Sequence, residues 1–291
     1  MNREKSASLT FEKIRVSCAG YLGPEATFSH QAASILYSED TVMKGAETIE
    51  DVFLMVVNKE CEQGIVPIEN SYEGTVNITQ DLLNKYDINI CNEFYLRIRQ
   101  NLLSREKNVS NIKKVYSHPQ AIAQCRSWLR INMPGVTVAE VSSTALAARM
   151  AAEEINTASI GSSFAASKYN LEILQESIED DKNNITRFFI IGYDAFPPTG
   201  RDKTSIIFFL QHKPGALYKC LSVMAEKGVN MTRIESRPAK TKKWEYLFFV
   251  DMEGHIENKK VGEALKEMEK HCVFLKVLGS YPQGDMPEVR E

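Results

Sequence analysis

Two kinds of hydrophobic pattern follow one another along this chain. Short apolar runs are typical of buried strands, and apolar residues three or four positions apart are typical of helices that pack on a sheet. In the last third of the chain these patterns predict the order strand, helix, strand, strand, helix, strand, which is the ferredoxin-like βαββαβ arrangement. The predicted segments are, in that order, Thr204–Gln211, Leu217–Met224, Val229–Ser236, Trp244–Asp251, Asn258–Lys270 and Cys272–Leu278.

The first two thirds of the chain alternate strand and helix patterns, which predicts a sheet flanked by helices. Several predicted strands end in a loop of small or hydroxyl-bearing residues that opens a helix. For any single loop an ordinary helix cap is the better interpretation. Five such loops together favour a cleft for a small polyanionic ligand, because helix starts present free N–H groups and the positive end of the dipole. The loops are Gly23–Thr27, Asn70–Thr75, Ser117–His118, Ser142–Thr144 and Gly161–Ser163.

One segment divides these two parts. Asp194–Lys203 contains two consecutive prolines and a glycine between two strongly apolar runs. Consecutive prolines interrupt both helices and central strands. The segment therefore predicts a linker between a part of about 190 residues and a part of about 90 residues.

Composition and charge narrow the class of protein. The 291 residues carry 35 Lys and Arg against 38 Asp and Glu, a net charge of −3, and 43% are hydrophobic. This balance argues against nucleic-acid binding through global charge and against disorder. The longest apolar run, Val52–Val57, is far shorter than the roughly 20 residues of a membrane span. The N-terminus carries no stretch typical of a signal peptide, so we expect a cytoplasmic protein with reduced thiols at its six scattered cysteines.

The chain contains no standard catalytic or cofactor motif such as GxSxG, a Walker loop, GxGxxG, CxxC or HExxH. Glu69 and Asn70 lie in a loop after an apolar strand, a place that suits function as much as turn formation. Arg187 begins another apolar strand. An arginine there either forms a structural ion pair or grips a carboxylate with its two-pronged donors. His118 is more simply a helix cap or a packed side chain than a group for proton transfer.

An ordered set of motifs from about Ile14 to Tyr281 resembles the prephenate dehydratase family. KPGALYKCL (213–221) and NMTRIESRP (230–238) resemble the phenylalanine-binding motifs of the family's ACT regulatory domain. About thirteen residues precede the set, too few for a chorismate mutase domain, so the chain resembles the monofunctional form. The catalytic motifs are YLGPEATFSHQAA (21–33), GIVPIENSYEGTV (64–76), SHPQAIAQC (117–125), STALAA (143–148), IGSSFAASKYNL (160–171) and NNITRFFIIG (183–192).

The resemblance implies a fold and a reaction. It implies a bilobal α/β catalytic domain of the type II periplasmic-binding-protein kind at 14–195 and an ACT domain at 203–285. Lobe one would comprise about 14–95 and 174–195, and lobe two about 96–173, with the active site between them. The implied reaction, in phenylalanine biosynthesis, is the decarboxylating dehydration of prephenate to phenylpyruvate, with no cofactor or metal. L-phenylalanine would be the allosteric effector of a homodimer or homotetramer.

The resemblance also assigns roles to individual residues. Thr186 would donate a hydrogen bond to the leaving hydroxyl, and Arg187 would position a carboxylate or orient Thr186. Asn70, Ser117 and Gln124 would supply neutral donors to the substrate. The further substrate-binding residues would be Glu69, Ser71, Thr75, Ser143, Thr144 and Phe188. The phenylalanine-binding residues would be Gly215, Ala216, Leu217, Glu235, Ser236, Arg237 and Pro238.

Ala26 departs from the family pattern, because the family usually has glycine there and alanine disfavours a positive φ. Two alternative functions remain open. Arogenate dehydratase performs the same elimination on the amino analogue of prephenate. A non-catalytic binding protein that responds to amino acids would also combine a two-lobed cleft with an ACT domain, although it would have no need of the Thr186–Phe188 trio.

Overall fold

The computed structural model describes residues 13–238 and 246–287. Trp244, placed in a predicted strand, lies outside these residues. The strands are β1 (Cys18–Leu22), β2 (Val42–Ala46), β3 (Gln63–Asn70), β4 (Gly74–Thr75), β5 (Asn89–Arg97), β6 (Asn101–Ser104), β7 (Lys114–Ser117), β8 (Thr137–Glu140), β9 (Thr157–Gly161), β10 (Glu172–Gln175), β11 (Ile185–Gly192), β12 (Asp202–Phe209), β13 (Met231–Pro238), β14 (Tyr246–Glu253) and β15 (Phe274–Pro282). The helices are α1 (Phe28–Leu36), α2 (Ile49–Val57), α3 (Asn77–Lys85), α4 (Pro119–Gln124), α5 (Arg126–Asn132), α6 (Thr144–Glu153), α7 (Ser163–Tyr169), α8 (Ala216–Glu226) and α9 (Lys259–Glu269).

Two sheets build the first part of the chain. One has the order β2-β1-β3-β11-β5, with β4 paired to β3, and the other has the order β10-β6-β9-β7-β8. Strand β11 returns from the second sheet to the first and lies antiparallel between β3 and β5. The chain therefore crosses between the sheets twice, and the predicted bilobal α/β fold is confirmed.

Side-chain caps fix the starts of the helices that face the gap between the lobes. The Thr27 hydroxyl accepts a hydrogen bond from His30 N at 3.3 Å, and the Ser143 hydroxyl accepts one from Leu146 N at 3.0 Å. Helix α2 begins with a capping box between Thr48 and Asp51. Each such cap stabilises a helix by roughly 1 kcal/mol, so local sequence alone decides where these helices begin.

The C-terminal part confirms the predicted βαββαβ order, with the sheet order β13-β14-β12-β15. One face of this sheet, including Ile206 and Phe208, packs on α8 and α9. The opposite face, including Phe249 and Tyr281, joins a single buried cluster with Phe189 of β11. Because apolar burial contributes about 25 cal/mol per Å², this shared core fixes the ACT sheet on lobe one.

Two details differ from the sequence-based expectations. The predicted linker ends earlier, since Asp202 and Lys203 already belong to β12 and are buried. Cys18 and Cys61 form a disulfide, so the expectation of reduced thiols is wrong for this pair. The Cα atoms of Cys18 in β1 and Cys61, which lies just before β3, are 4.6 Å apart because the two strands pair in parallel. No helix among the described residues is both long and apolar enough to cross a membrane.

Candidate active site

A cleft of about 340 Å³ lies between the two lobes, a size typical of small-molecule sites. Lobe one contributes residues that follow β1 and β3, and lobe two contributes residues that follow β7 and β8. The carboxyl ends of strands in open α/β sheets are the usual place for ligands. Topology thus brings together loops that are more than a hundred residues apart.

Helix starts supply the electrostatics of this cleft. The first residues of α1 and α6 line it, together with their caps Thr27 and Ser143. Free N–H groups and the positive dipole end at these starts favour an anion. Among the described residues that line the cleft none is lysine or arginine, whereas the lining does include Glu73 and His118.

Thr186 lies at the cleft wall at the start of β11, where it is bonded by Asn70, which in turn is bonded to Asn184. Asn70 Nδ2 donates to Thr186 Oγ1 at 2.9 Å and to Asn184 Oδ1 at 2.7 Å. The Thr186 oxygen is therefore an acceptor toward Asn70, and its own proton remains available to donate. The cross-strand register that pairs Thr186 with Asn70 creates this geometry.

The hydrogen bonds of Asn70 are used within the protein. Besides donating to Thr186 and Asn184, it accepts from the backbone N–H groups of Tyr72 and Glu73 through Oδ1. It closes the loop after β3 and positions Thr186. Asn70 also lines the cleft, and since its amide nitrogen already donates to protein acceptors, its role as a donor to the substrate stays a prediction.

Arg187 points away from the cleft, because successive side chains of a strand face opposite sides. Its guanidinium pairs with Glu93 Oε2 at 2.6 Å and Asp251 Oδ2 at 2.5 Å, and donates to the Tyr281 hydroxyl at 3.2 Å. These groups lie between β11 and the ACT sheet. Burial opposes the charged form, yet Asp251, Tyr281 and Glu93 hold the pKa of Arg187 well above its ordinary value. The structural ion pair is thus the correct interpretation, and the prediction that Arg187 positions a substrate carboxylate is wrong.

The same buried cluster contains a second cation. Lys203 Nζ lies 2.8 Å from Glu93 Oε1, and Ser205 donates to Asp251 Oδ1 at 2.5 Å. The side chains of Glu93 and Asp251 are 0% exposed. Two carboxylates and two cations therefore neutralise one another where lobe one meets the ACT sheet.

The remaining predicted substrate residues divide into two groups. Gln124, Ser143, Thr144 and Phe188 line the cleft. Ser117 does not, because it is fully buried and its hydroxyl donates to Ile160 O at 2.9 Å. The other three lie outside the cleft because their side chains bind elsewhere in the protein; they are Glu69, Ser71 and Thr75.

Sequence reasoning missed Glu73, Gln100 and Asn184, which also line the cleft. Asn184 is the most informative of them, because it is 2% exposed and its Nδ2 has no hydrogen-bond partner among the described residues. A buried amide without a partner is costly, so it is suited to bind a ligand atom. Its position directly before Ile185 in the NNITRF motif was the signal that could have identified it.

Ala26 keeps the left-handed backbone that its position requires, with φ of 68°. Its N–H donates to His30 Nδ1 at 3.0 Å, and the His30 ring stacks on Tyr21 with centroids 4.5 Å apart. Burial lowers the pKa of His30, which favours the neutral ring that accepts this bond. The loop therefore retains a glycine-like shape despite the alanine Cβ.

The predicted effector residues of α8 lie beside a small pocket in the ACT domain. Ala216 and Leu217 line this pocket of about 130 Å³ together with Tyr246 and Phe248. Gly215 caps α8 with φ of 78°, a conformation that favours glycine. The first turn of α8 is thereby held close to β14.

The predicted effector residues of β13 are split between the two faces of the strand. Ser236 is paired with Phe248 and shares its face of the sheet, as does the exposed Pro238. Glu235 and Arg237 face the catalytic domain and bind residues there. The sheet lies between these two side chains and the pocket beside Leu217, so they do not line that pocket together, and their contact with the effector stays a prediction.

Fold and site together define a bilobal α/β protein with a cleft between its lobes and an attached ACT domain. The family model described as Prephenate dehydratase matches residues 19–195, and the ACT domain model matches residues 204–270. The chain belongs to the prephenate dehydratase family.

Relatives of known name support this assignment. The bifunctional chorismate mutase/prephenate dehydratase of Aquifex aeolicus is 48% identical over 284 residues, which cover 97% of this chain and 78% of that protein. The prephenate dehydratase of Methanocaldococcus jannaschii is 44% identical over 91% of this chain and 98% of its own length. The structure of the Arthrobacter aurescens prephenate dehydratase in complex with L-Phe matches with a TM-score of 0.84 and 31% identity, covering 91% of this chain and 90% of that one. Since these names include both forms, the monofunctional form stays a prediction.

Proposed function

We propose that this prephenate dehydratase carries out its reaction in the cleft between the lobes, with Thr186 as the catalytic residue. The observation that carries the proposal is the hydrogen bond from Asn70 to Thr186 Oγ1 at 2.9 Å, which leaves the hydroxyl proton free to donate into the cleft. A fixed donor at a cleft wall is pre-organised to stabilise a departing oxygen.

The reaction requires little from the protein beyond positioning the substrate. The bond from the ring to its carboxylate breaks, carbon dioxide leaves, and the electron pair enters the ring as the para carbon–oxygen bond breaks. The departing hydroxide takes a proton and becomes water, while the ring becomes aromatic and supplies the driving force. Threonine is a weak acid, so Thr186 donates a hydrogen bond to the leaving oxygen and the proton comes from solvent.

Neutral groups hold the two carboxylates of prephenate. The helix starts at Ser143–Thr144 and Thr27 offer backbone N–H groups to one carboxylate each. The Asn184 amide, buried and without a partner among the described residues, is a further donor. Phe188 and the other apolar lining residues contact the ring.

The proposal is tested by mixing the purified protein with prephenate at neutral pH and measuring phenylpyruvate by its absorbance in alkali. Production well above the spontaneous rate is expected. Product formation at the spontaneous rate would instead favour a non-catalytic binding protein. Arogenate is assayed in parallel. A much higher kcat/KM for arogenate than for prephenate would show that arogenate is the preferred substrate.

Regulation and assembly belong to the same proposal. L-phenylalanine binds beside Ala216, Leu217 and Ser236, where two ACT domains pair in a homodimer or homotetramer of a cytoplasmic enzyme. Support comes from the L-Phe complex of the Arthrobacter relative and from β13, an edge strand that leaves Ile234 46% exposed. Size-exclusion chromatography with light scattering measures the molar mass of the protein with and without L-phenylalanine. A monomeric mass in both conditions would contradict the proposed pairing of ACT domains.

A further inference from the structure

We propose that Arg233, Glu235 and Arg237 are positioning residues for the active-site loop and not ligands of the effector. We call these three side chains the catalytic-domain face of β13. The inference rests on the function proposed above and adds the route by which the ACT domain acts on Thr186.

The alternation of β13 separates this face from the effector side. Arg233, Glu235 and Arg237 are half-buried, whereas each residue that follows one of them along the strand is exposed. Glu235 is paired with Phe249, which packs into the core shared with lobe one. One short strand therefore presents alternate side chains to the catalytic domain and to the surface where the effector would bind.

Glu235 and Arg233 bind the β3–β4 hairpin. Thr75 Oγ1 donates to Glu235 Oε2 at 2.6 Å, and Arg233 Nη2 donates to Thr75 Oγ1 at 2.7 Å. Arg233 also bonds Glu235 itself at 2.7 Å and lies 3.4 Å from Glu69 Oε2. Gln80 of α3 adds a hydrogen bond to Glu235 at 3.1 Å. The Glu235 carboxylate and the Arg233 guanidinium therefore both bind residues of the segment 69–81.

Arg237 binds the same segment at its far end. Its Nη1 donates to Asn77 O at 2.7 Å and lies 2.8 Å from Asp81 Oδ1. The contact reaches the first turn of α3, directly after the loop. The catalytic-domain face of β13 thus holds both ends of the segment 69–81.

This segment leads directly to the catalytic residue. Glu69 is paired with Thr75 in the hairpin, and its neighbour Asn70 bonds Thr186 Oγ1. Glu73 and Val76 of the same loop line the cleft. A shift of β13 therefore changes the position of Asn70, and hence of Thr186, without any contact between effector and substrate. Such coupling between sites typically changes affinity about 5- to 150-fold.

The test uses Thr75→Val and Glu235→Gln in the full-length protein. For each variant, kcat and KM for prephenate are measured, together with L-phenylalanine affinity by calorimetry and the extent of inhibition or activation. We expect kcat to fall several-fold with little change in KM, the effector response to shrink at least about 5-fold, and effector affinity to stay within about 2-fold. Thr75→Ser retains the hydroxyl and should restore the response, and the double variant should be no worse than the more affected single variant.

Glu50→Gln is the matched control. Glu50 bonds Lys85 at the C-terminal end of α3, one helical turn beyond Asp81 and outside the segment that β13 contacts. It should leave kcat, KM and the effector response unchanged. A response as reduced as in Glu235→Gln would show that loosening of α3 in general, and not the catalytic-domain face of β13, causes the effect.

Two results would overturn the inference. If Glu235→Gln weakens L-phenylalanine binding as much as Leu217→Ala does, Glu235 is an effector ligand. If both variants keep wild-type kcat and a wild-type response, the contacts position nothing. Failure of the proposed function is a separate outcome, since the wild-type protein would then show no turnover of prephenate in the same assay.

Discussion

The two faces of β11 have opposite chemistry, although they belong to consecutive residues. Thr186 meets a cleft lined by neutral donors and helix starts, whereas Arg187 meets Glu93 and Asp251 in a dry interface with the ACT sheet. The cleft face has a donor available for a ligand, and the interface face has its charges already paired. A three-residue motif therefore combines the proposed catalytic residue with a structural ion pair, because strand alternation sends neighbours to different surroundings.

The largest expected effect falls on the interface face. Arg187→Met would leave Asp251 and part of the Glu93 charge buried without their main partner, and breaking a buried pair in this way costs about 3–5 kcal/mol. Urea denaturation should therefore show a large loss of unfolding free energy. If the variant does not fold, Glu93→Gln gives a milder test of the same cluster. If the Arg187→Met variant kept the wild-type unfolding free energy but lost most of its kcat, Arg187 would act in catalysis and the two faces of β11 would not differ in role.

The next effect falls on the cleft face. Thr186→Val keeps the shape of the side chain and removes the donor, so kcat should fall roughly 10²- to 10³-fold. Unfolding free energy and L-phenylalanine affinity should stay close to the wild-type values. Steady-state kinetics, urea denaturation and calorimetry measure the three quantities. A comparable loss in all three would mean that Thr186, like Arg187, acts through the fold.

A smaller expected effect tests whether the start of α6 takes part in substrate binding. Ser143→Ala removes the hydroxyl that caps α6, which should cost about 1 kcal/mol of stability. It should also raise KM for prephenate, because the frayed helix start presents its N–H groups less well. Ser143→Gly is the matched control, since glycine at a cap costs only a few tenths of a kcal/mol. An unchanged KM in both variants would show that this helix start does not contribute to substrate binding.

The smallest effect concerns the first cleft loop. Ala26→Gly relieves the left-handed strain of about 1–2 kcal/mol but loses a buried methyl and increases the freedom of the unfolded chain. These terms oppose one another, so we expect the unfolding free energy to change by less than about 1 kcal/mol. Thermal and urea denaturation measure it. A change of several kcal/mol would mean that this loop, like the Arg187 cluster, carries a large share of the stability.

Several elements could be predicted from local pattern because local physics decides them. The ACT order followed from apolar runs and helical spacing, and the caps at Thr27 and Ser143 follow from side chains that bond the nearest free N–H groups. Strands β2 and β5 carried no comparable signal. The exposed β2 alternates weakly, and the apolar residues of β5 are interrupted by Glu93, which is buried against Arg187 and Lys203 from distant segments.

Candidate site residues could be predicted only as far as motif positions allowed. Thr186, Gln124, Ser143, Thr144 and Phe188 line the cleft as proposed from the sequence. Asn70 also lines the cleft, but the sequence could not show that its amide nitrogen donates to Asn184 and Thr186, which are more than a hundred residues away. Asn184 was missed for the complementary reason. Nothing in the sequence shows that its Nδ2 has no hydrogen-bond partner among the described residues.

By itself the sequence determined the family, the fold of each part, several strands and the helix caps, because periodicity and short-range hydrogen bonds are properties of neighbouring residues. Only the tertiary structure decided which way Arg187 and Glu235 face. Alternation makes adjacent residues point to opposite sides, but which side becomes the cleft and which is covered by the ACT sheet depends on long-range packing. Long-range packing therefore places neighbouring residues in a cleft wall, in a buried ion cluster and in a contact between domains.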